Sequence, residues 1–532
     1  MTVFLRTPSF VTGIWAVSSA WRVLFADPSP AFSFSITQLP ISRHLWSPSL
    51  PVQNRHRHRR RLGALEASDK ATAEPSWQSH VSTHPVGVKA FDAMWEDVAS
   101  KDGLGFAFLF VGPAHAEDFR QIVEHASHSW QQRTLSPMPD RLVSILGGGV
   151  IGDNVELDQT NRPSMSLLVG SLPSGATVDI LELGASQKQD HPETLLESLN
   201  DRFASCLVFS DPYAPIQELI GASSSSSLVL AGGISCPLAP NQPSLAIDDR
   251  CLPPQGSIMA IGFGGTLKLQ TMVAQGSRPV GDKIYTVTEC EGNVITKLDN
   301  LPALKILEDV ANTATPEEQK LIQSGLLLCG VSKNNSSKPS ASMDFLCRQI
   351  VGFVPDMAGI AVGTRDIAEG DRFCIQVRDG NTAEKDLELM VQRAKTERLF
   401  DINSGGGNSN NRPLAAIQIS CVARGRDMFD GVPNVDISNV AKLLVQESDG
   451  NSEGFASKPL VGGFFANGEI GPVGLAGFST TQPTDGQSHV HSFTTVAAVL
   501  CDCSGGNSKN GSTEESGEAD EEEGSPSMDA WG

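Results

Sequence analysis

Short apolar runs alternate with amphipathic segments along most of this chain, the pattern expected of sheets covered by helices. Phe91, Met94, Trp95 and Val98 recur at helical spacing, as do Phe119, Ile122, Val123 and Ala126. Leu195, Leu196, Leu199 and Phe203 predict a further helix that leads into an apolar strand over residues 206–209. Other apolar runs predict strands over residues 106–111, 141–146 and 228–231, the last preceded by a serine loop at 223–227. Lys268, Gln270 and Met272 alternate with Leu267, Leu269, Thr271 and Val273, which predicts a half-exposed strand. Residues 285–288 and 294–298 flank Glu291-Gly292-Asn293 as a hairpin.

The second half repeats this alternation without a fixed-period repeat. Pro302 suits the first turn of a helix through Leu304, Ile306, Leu307 and Val310, where its missing amide hydrogen is not needed. Asn381 and Glu384 resemble a capping box opening the helix that carries Leu387, Met390, Val391 and Ala394. A glycine-rich loop at 405–408 precedes a strand over 415–421, and Val440, Leu443 and Leu444 mark another helix. Residues 459–465 and 493–500 read as strands, with Asn467-Gly468 placed as a tight hairpin turn.

Charge is unevenly spread, and this changes the picture at both ends. The chain has 532 residues and a net charge of −21, yet residues 1–65 hold eight Arg, no Lys and a single acid, Asp27. Such a Ser-rich, acid-poor leader resembles an organelle presequence, for a plastid first, with mitochondrion or cytoplasm as alternatives. An apolar stretch at 10–25 admits a secretory signal instead, but Arg22 and scattered Ser and Pro argue against a membrane span. The Arg-His run at 55–61 sits where a presequence would end, and the remaining body is too acidic to favour nucleic acid or anionic membranes. Residues 66–80 are expected to be a linker, and 501–532 an acidic, disordered tail. Ten Cys, most within apolar strands, indicate buried free thiols in a reducing compartment. Cys501 and Cys503, with His489 and His491 upstream, match no standard zinc spacing, so neither metal nor cofactor is expected.

Gly147, Gly149 and Gly152 satisfy a dinucleotide-type glycine spacing, but Asp153 and Glu156 follow where pyrophosphate would sit and helical periodicity is lacking. Residues 262–265 lack the Gly-Lys-Ser/Thr ending of a phosphate loop. The strongest chemical pairing is Cys421 with Arg424 on the following turn with Gly425. The guanidinium could hold an anionic ligand, activate the thiol, or pair structurally with a carboxylate such as Glu469. If the strands over 415–421 and 459–466 are neighbours, Asn467, Gly468 and Glu469 come beside Arg424, and His491 and Thr494 could complete a site. Gln275, Gly276 and Arg278 form a polar turn, with Arg278 either a second anion anchor or a surface charge.

Several of these segments carry a resemblance to a known family. Residues 147–152, 273–281, and Val287-Thr288 with Gly292-Asn293 and Leu298-Asp299 look like the N-terminal half of the FIST family. Residues 420–425, 462–471 and 491–495 look like its C-terminal half. The resemblance implies an α/β (α+β) fold of two consecutive mixed β-sheet modules with flanking helices, at residues 81–300 and 301–500. It also implies a small-ligand sensory module without an F-box, binding a polar metabolite such as an amino acid and signalling through an unknown protein partner. Gly148 and Gly149 would line its pocket. An enzyme using Cys421 or a Glu469 and His491 pair is one alternative, and a protein-interaction adaptor is another.

Overall fold

The computed structural model describes residues 65–66, 76–100, 103–133, 141–183, 192–223, 227–325, 327–332, 345–403, 411–445, 460–478 and 487–504. Almost all of the basic leader, most of the 66–80 segment, the 405–408 loop, the centre of the serine loop and the acidic tail beyond 504 lie outside the described residues.

Three sheets enclose one apolar core. A six-stranded sheet runs in the order Arg250–Cys251, Leu245–Ile247, Arg141–Leu146, Phe106–Val111, Met165–Gly170 and Trp77–Ser82. A second, of seven strands, runs Leu65–Glu66, Ala176–Leu183, Ile258–Gly265, Ser205–Ser210, Val229–Ile234, Glu469–Pro472 and Ser488–His491. The third, also seven-stranded, runs Leu475–Ala476, Leu267–Ala274, Thr495–Asp502, Arg412–Cys421, Val461–Ala466, Val150–Gly152 and Val155–Leu157. Phe108 and Phe110 of the first sheet, Phe209 of the second and Phe464 of the third meet in this core. Phe110 and Phe464 stack with ring centroids 5.7 Å apart. Burying each such side chain contributes about 1.5–3 kcal/mol, so the core strongly favours the three-sheet arrangement.

The outer face of each sheet carries helices, most of them where apolar periodicity placed them, with Ile216–Ser223 unanticipated. Gly87–Asp97 and Phe119–Arg133 cover the first sheet, Pro192–Asn200 and Ile216–Ser223 the second, and Gly380–Asn403 with Val435–Val440 the third. Coverage on both faces is why Leu267–Ala274 is buried at Gln270 and Met272, leaving only Lys268 exposed. The expectation of a half-exposed strand fails there, because alternation cannot reveal a helix laid over the polar face. Asp379, rather than Asn381, caps Gly380–Asn403: its Oδ1 accepts from the amides of Asn381 and Thr382, at 3.1 and 3.4 Å.

Between Leu267–Ala274 and the helix Gly380–Asn403 the chain builds a closed six-stranded barrel. Tyr285–Glu291 pairs with Val294–Leu298, then Gly359–Val362, Leu346–Val354, Leu327–Ser332 and Arg372–Arg378, which returns to Tyr285–Glu291. Its hairpin at Gly292-Asn293 and the helix Ala303–Thr313 after Pro302 were both legible in sequence. Ser277–Pro279 pairs along the outer edge of Arg372–Arg378 and tethers the barrel to the third sheet.

The two sequence halves share structure throughout. Val461–Ala466 pairs with Val150–Gly152, and Glu469–Pro472 with Val229–Ile234. Asn467-Gly468 consequently does not close a hairpin. It carries the chain from the third sheet to the second, with Gly468 at φ +151°, a conformation that side-chain-bearing residues rarely adopt. The glycines at 147–149 lead into Val150–Gly152 and a turn at Asp153 and Asn154, φ +43° and +63°, rather than into a helix whose N-terminus would hold pyrophosphate.

Candidate functional site

Arg412–Cys421 and Val461–Ala466 are parallel neighbours, as the sequence suggested, and their C-terminal ends deliver the polar groups. After Cys421 the chain turns, with the Cys421 carbonyl accepting from the Arg424 amide at 2.8 Å, and the Arg424 side chain goes inward. Its carboxylate partner is Asp436, not Glu469. Nε donates to Oδ2 at 2.6 Å and Nη2 to Oδ1 at 3.2 Å, while the remaining donors reach the carbonyls of Ala383 and Phe493. Asp436 also accepts from Thr495 Oγ1 at 2.7 Å, and Ser420 joins Thr495 at 2.5 Å. Glu156, from the N-terminal half, extends this network by accepting from Gln418 and the Ile437 amide. Burial, then the nearby Asp436, pushes Glu156 up to about 8.

Glu469 lands on the other sheet because the chain switches sheets just before it. It pairs with Gly233 on one side and His491 on the other, and its side chain is fully buried. Oε2 accepts from the Thr494 amide at 3.1 Å and its hydroxyl at 2.9 Å, so these two residues meet directly. Oε1 makes no hydrogen bond of good geometry, but the Cys421 thiol is a donor neighbour of this carboxyl and, with Arg424, favours its ionised form. Burial outweighs them and raises Glu469 to about 8. A carboxyl without a salt-bridge partner in this setting is protonated at neutral pH.

Three buried thiols, Cys421, Cys236 and Cys347, lie within electrostatic reach of this carboxyl. Burial drives all three upward in pKa, Cys236 and Cys347 to about 12, and Cys421 is raised as well although the amides of Ala423 and Phe493 point at its sulfur. Phe493 holds φ +63°, a left-handed conformation. His491 is buried, bonds the Gly471 carbonyl through Nε2 at 3.0 Å, and is lowered by burial to about 3, so it is neutral. Cys501 contacts Gln270 and Cys503 contacts Asn411, away from His491. Among the described residues no group of three or more potential ligands converges on a metal position.

The barrel forms one wall. Gly276 is wedged so tightly that a Cβ there would lie 2.2 Å from the Phe493 carbonyl oxygen and 2.9 Å from Arg424 Nη1. Gln275 donates from its amide to Asp386 and from its side chain to the Phe345 carbonyl. Arg278 is held by Asp379 at 2.6 Å and Glu318 at 2.8 Å, which leaves it an internal brace rather than an open anion anchor. Arg378, which sequence reasoning missed, projects from the outer face of the barrel and donates to the Ala423 carbonyl at 3.2 Å. Its charge reaches Cys421, and burial lowers its pKa.

Arg424 and Glu469 are both fully buried, and Arg424 is closed by Asp436. Around them lies a half-buried rim of Gly148, Val422, Ala423, Asn467, Phe493 and Arg378. Gly148 faces Val422 and Cys236, where a Cβ would lie 2.5 Å from Val422 Cγ1. Gly149 and Gly425 lie instead against the 157–158 segment, where Asp158 accepts from the Arg426 amide at 2.7 Å. Asp436, Cys236 and Cys347 were missed because isolated polar residues in apolar runs give no signal of convergence.

Comparison with known proteins agrees with this architecture. Models of the FIST N domain and the FIST C domain match residues 105–301 and 303–472. The chain belongs to the FIST family. The boundary between the two FIST domains falls inside the barrel, whose hairpin of Tyr285–Glu291 and Val294–Leu298 comes from the N half and whose other strands come from the C half. An uncharacterized Mycobacterium tuberculosis protein is 29% identical over 373 residues, covering 68% of this chain and 84% of its own. An uncharacterized Mycobacterium bovis protein is 32% identical over 231 residues, 43% of this chain and 50% of its own. FIST domains are sensory and signalling domains, and this chain carries the N and C pair. Among the described residues no helix is long and apolar enough to cross a membrane.

Proposed function

We propose that this FIST protein is a small-ligand sensory module whose ligand, a polar metabolite with amino acids as the first class to screen, docks beneath the half-buried rim onto Glu469. The supporting observation is the Glu469 carboxyl, fully buried with Oε1 lacking a hydrogen bond of good geometry. Such a group costs stability of about 1–3 kcal/mol, which an incoming ligand donor or acceptor would relieve. Strands from both FIST halves and the barrel meet at this point, so occupancy would bias their relative arrangement and thereby signal to a protein partner. Catalysis is less favoured: burial keeps Cys421 a thiol and His491 neutral, so neither is poised for nucleophilic or acid-base work. The basic leader supports delivery to a plastid.

A thermal-melt screen of the full chain against amino acids and other small polar metabolites tests this reading. A ligand that raises Tm in the wild type and not in Glu469→Ala is the expected result. Failure of every compound to shift the wild-type melt would refute it.

A further inference from the structure

Arg398 is a buried cation that no carboxylate answers among the described residues. It lies on the sheet-facing side of the helix Gly380–Asn403 and is 9% exposed. Nη1 donates to the Leu443 carbonyl at 2.8 Å and Nη2 to Gln270 Oε1 at 2.7 Å, while the guanidinium sits 5.4 Å from the centre of the Phe478 ring. Nε is enclosed and makes no hydrogen bond. Other buried guanidiniums have an acid. Arg424 pairs with Asp436 and Arg141 with Asp248, and the charges of Asp366 and Asp427 reach Arg348 and Arg378. The titratable group that acts on Arg398 is the Cys501 thiol, which burial pushes up to about 12 and so keeps uncharged. An enclosed charge without a counter-ion is costly, so an anion brought to it is favoured.

The same sheet face carries a second unmatched cation. Lys268 stands two residues before Gln270 on Leu267–Ala274, hence on the same side of the strand, and directly opposite Cys501 in register. It is exposed. Acids of the adjoining strand and helix are already held, Asp502 by Arg412 at 3.5 Å and Glu397 by Arg393 at 3.2 Å.

The described chain ends beside this pair. Cys501 Sγ donates at 3.3 Å to the same Gln270 oxygen that Arg398 holds, and the Cys503 amide bonds the Thr266 carbonyl at 2.8 Å. Past Ser504, residues 514–523 hold seven acids and no base. Glu514 is ten positions beyond Ser504, an extended reach of roughly 33 Å, ample to return to Arg398.

We infer that the acidic C-terminal tail, residues 505–532, docks back onto this end of the third sheet, its carboxylates answering Lys268 at the surface and Arg398 at depth. The inference is independent of the ligand-binding reading. Its consequence runs along one helix: Asp386, which accepts from the Gln275 amide, and Arg398 lie roughly 18 Å apart on Gly380–Asn403. The docked tail fixes the far end of the helix whose Ala383 carbonyl holds Arg424, and it competes with any acidic partner for the same cations.

The test is zero-length carbodiimide coupling of the full chain, with the joined residues mapped by mass spectrometry. The Lys268 amine should couple to a carboxyl within 514–523, and a mixture of isotope-labelled and unlabelled protein should show the bond to lie within one molecule. Arg398 cannot itself be coupled, so Arg398→Gln should lower the yield by about threefold or more only if its charge helps to hold the tail. A variant with the seven acids of 514–523 changed to Gln or Asn leaves the described fold untouched and serves if Arg398→Gln does not fold. It should raise the rate at which an amine-reactive ester labels Lys268 by about threefold or more, as should about 1 M NaCl, where the screening length falls to about 3 Å. Lys305, on the helix Ala303–Thr313, should label at the same rate throughout. Absence of Lys268 coupling, coupling to acids outside the tail, coupling solely between two copies, or a Lys268 labelling rate unchanged by neutralising the tail would each overturn the inference.

Discussion

Arg424 grips Asp436 through Nε at 2.6 Å and Nη2 at 3.2 Å, with neither side chain more than 1% exposed. The pair fastens the turn after Arg412–Cys421 to the helix Val435–Val440. Breaking one side of a buried pair leaves the other charge stranded, at about 3–5 kcal/mol. Arg424→Ala is therefore expected to lose that much in denaturant unfolding. Replacing both, as Arg424→Met with Asp436→Leu, should recover most of it. A stable Arg424→Ala single variant would show that the pair braces nothing.

Glu469 should make stability fall with rising pH. Its folded pKa, about 8, lies above the ordinary value of 4.5, so the folded state retains a proton that the unfolded state has released. Stability from this group is complete below about 4.5 and is lost as pH climbs to about 8, at about 1.4 kcal/mol per unit. Glu156 acts in the same sense. His491, lowered to about 3, acts oppositely below its ordinary 6.5, so the decline emerges between 6.5 and 8. Guanidinium melts at pH 6.5 and 8 should show Glu469→Gln losing about 2 kcal/mol less than wild type. Equal losses would contradict a protonated Glu469.

Gly276→Ala should destabilise the protein by about 1–3 kcal/mol or more, because the new methyl collides with backbone rather than with a movable side chain. The Phe493 carbonyl oxygen would be 2.2 Å away. A thermal melt within a degree of wild type would indicate that the barrel approaches the third sheet less closely.

Seven of the ten thiols are buried and three, Cys251, Cys290 and Cys503, are partly accessible. Thiolate, not thiol, attacks disulfide reagents, and burial suppresses it. Titration of the native protein with Ellman's reagent should release at most three equivalents rapidly, with the rest appearing only in denaturant. Mass-spectrometric mapping that finds Cys421 among the fast group would contradict its placement.

Sequence alone indicated many of the strands and helices and the family of this protein, because local periodicity and turn chemistry act over a few residues. Phe106–Val111 and Arg141–Leu146 have the bounds their apolar runs predicted, and the association of Glu469 with Thr494 holds. Tertiary structure decided which sheet each strand joined. The Asn467-Gly468 step looks like a hairpin in sequence, yet the shared core draws Val461–Ala466 to one sheet and Glu469–Pro472 to another. That switch sets Glu469 on the amide and hydroxyl of Thr494 and leaves Arg424 to pair with Asp436. Charge pairing depends on distances between residues remote in sequence, and those distances exist only once the core has closed.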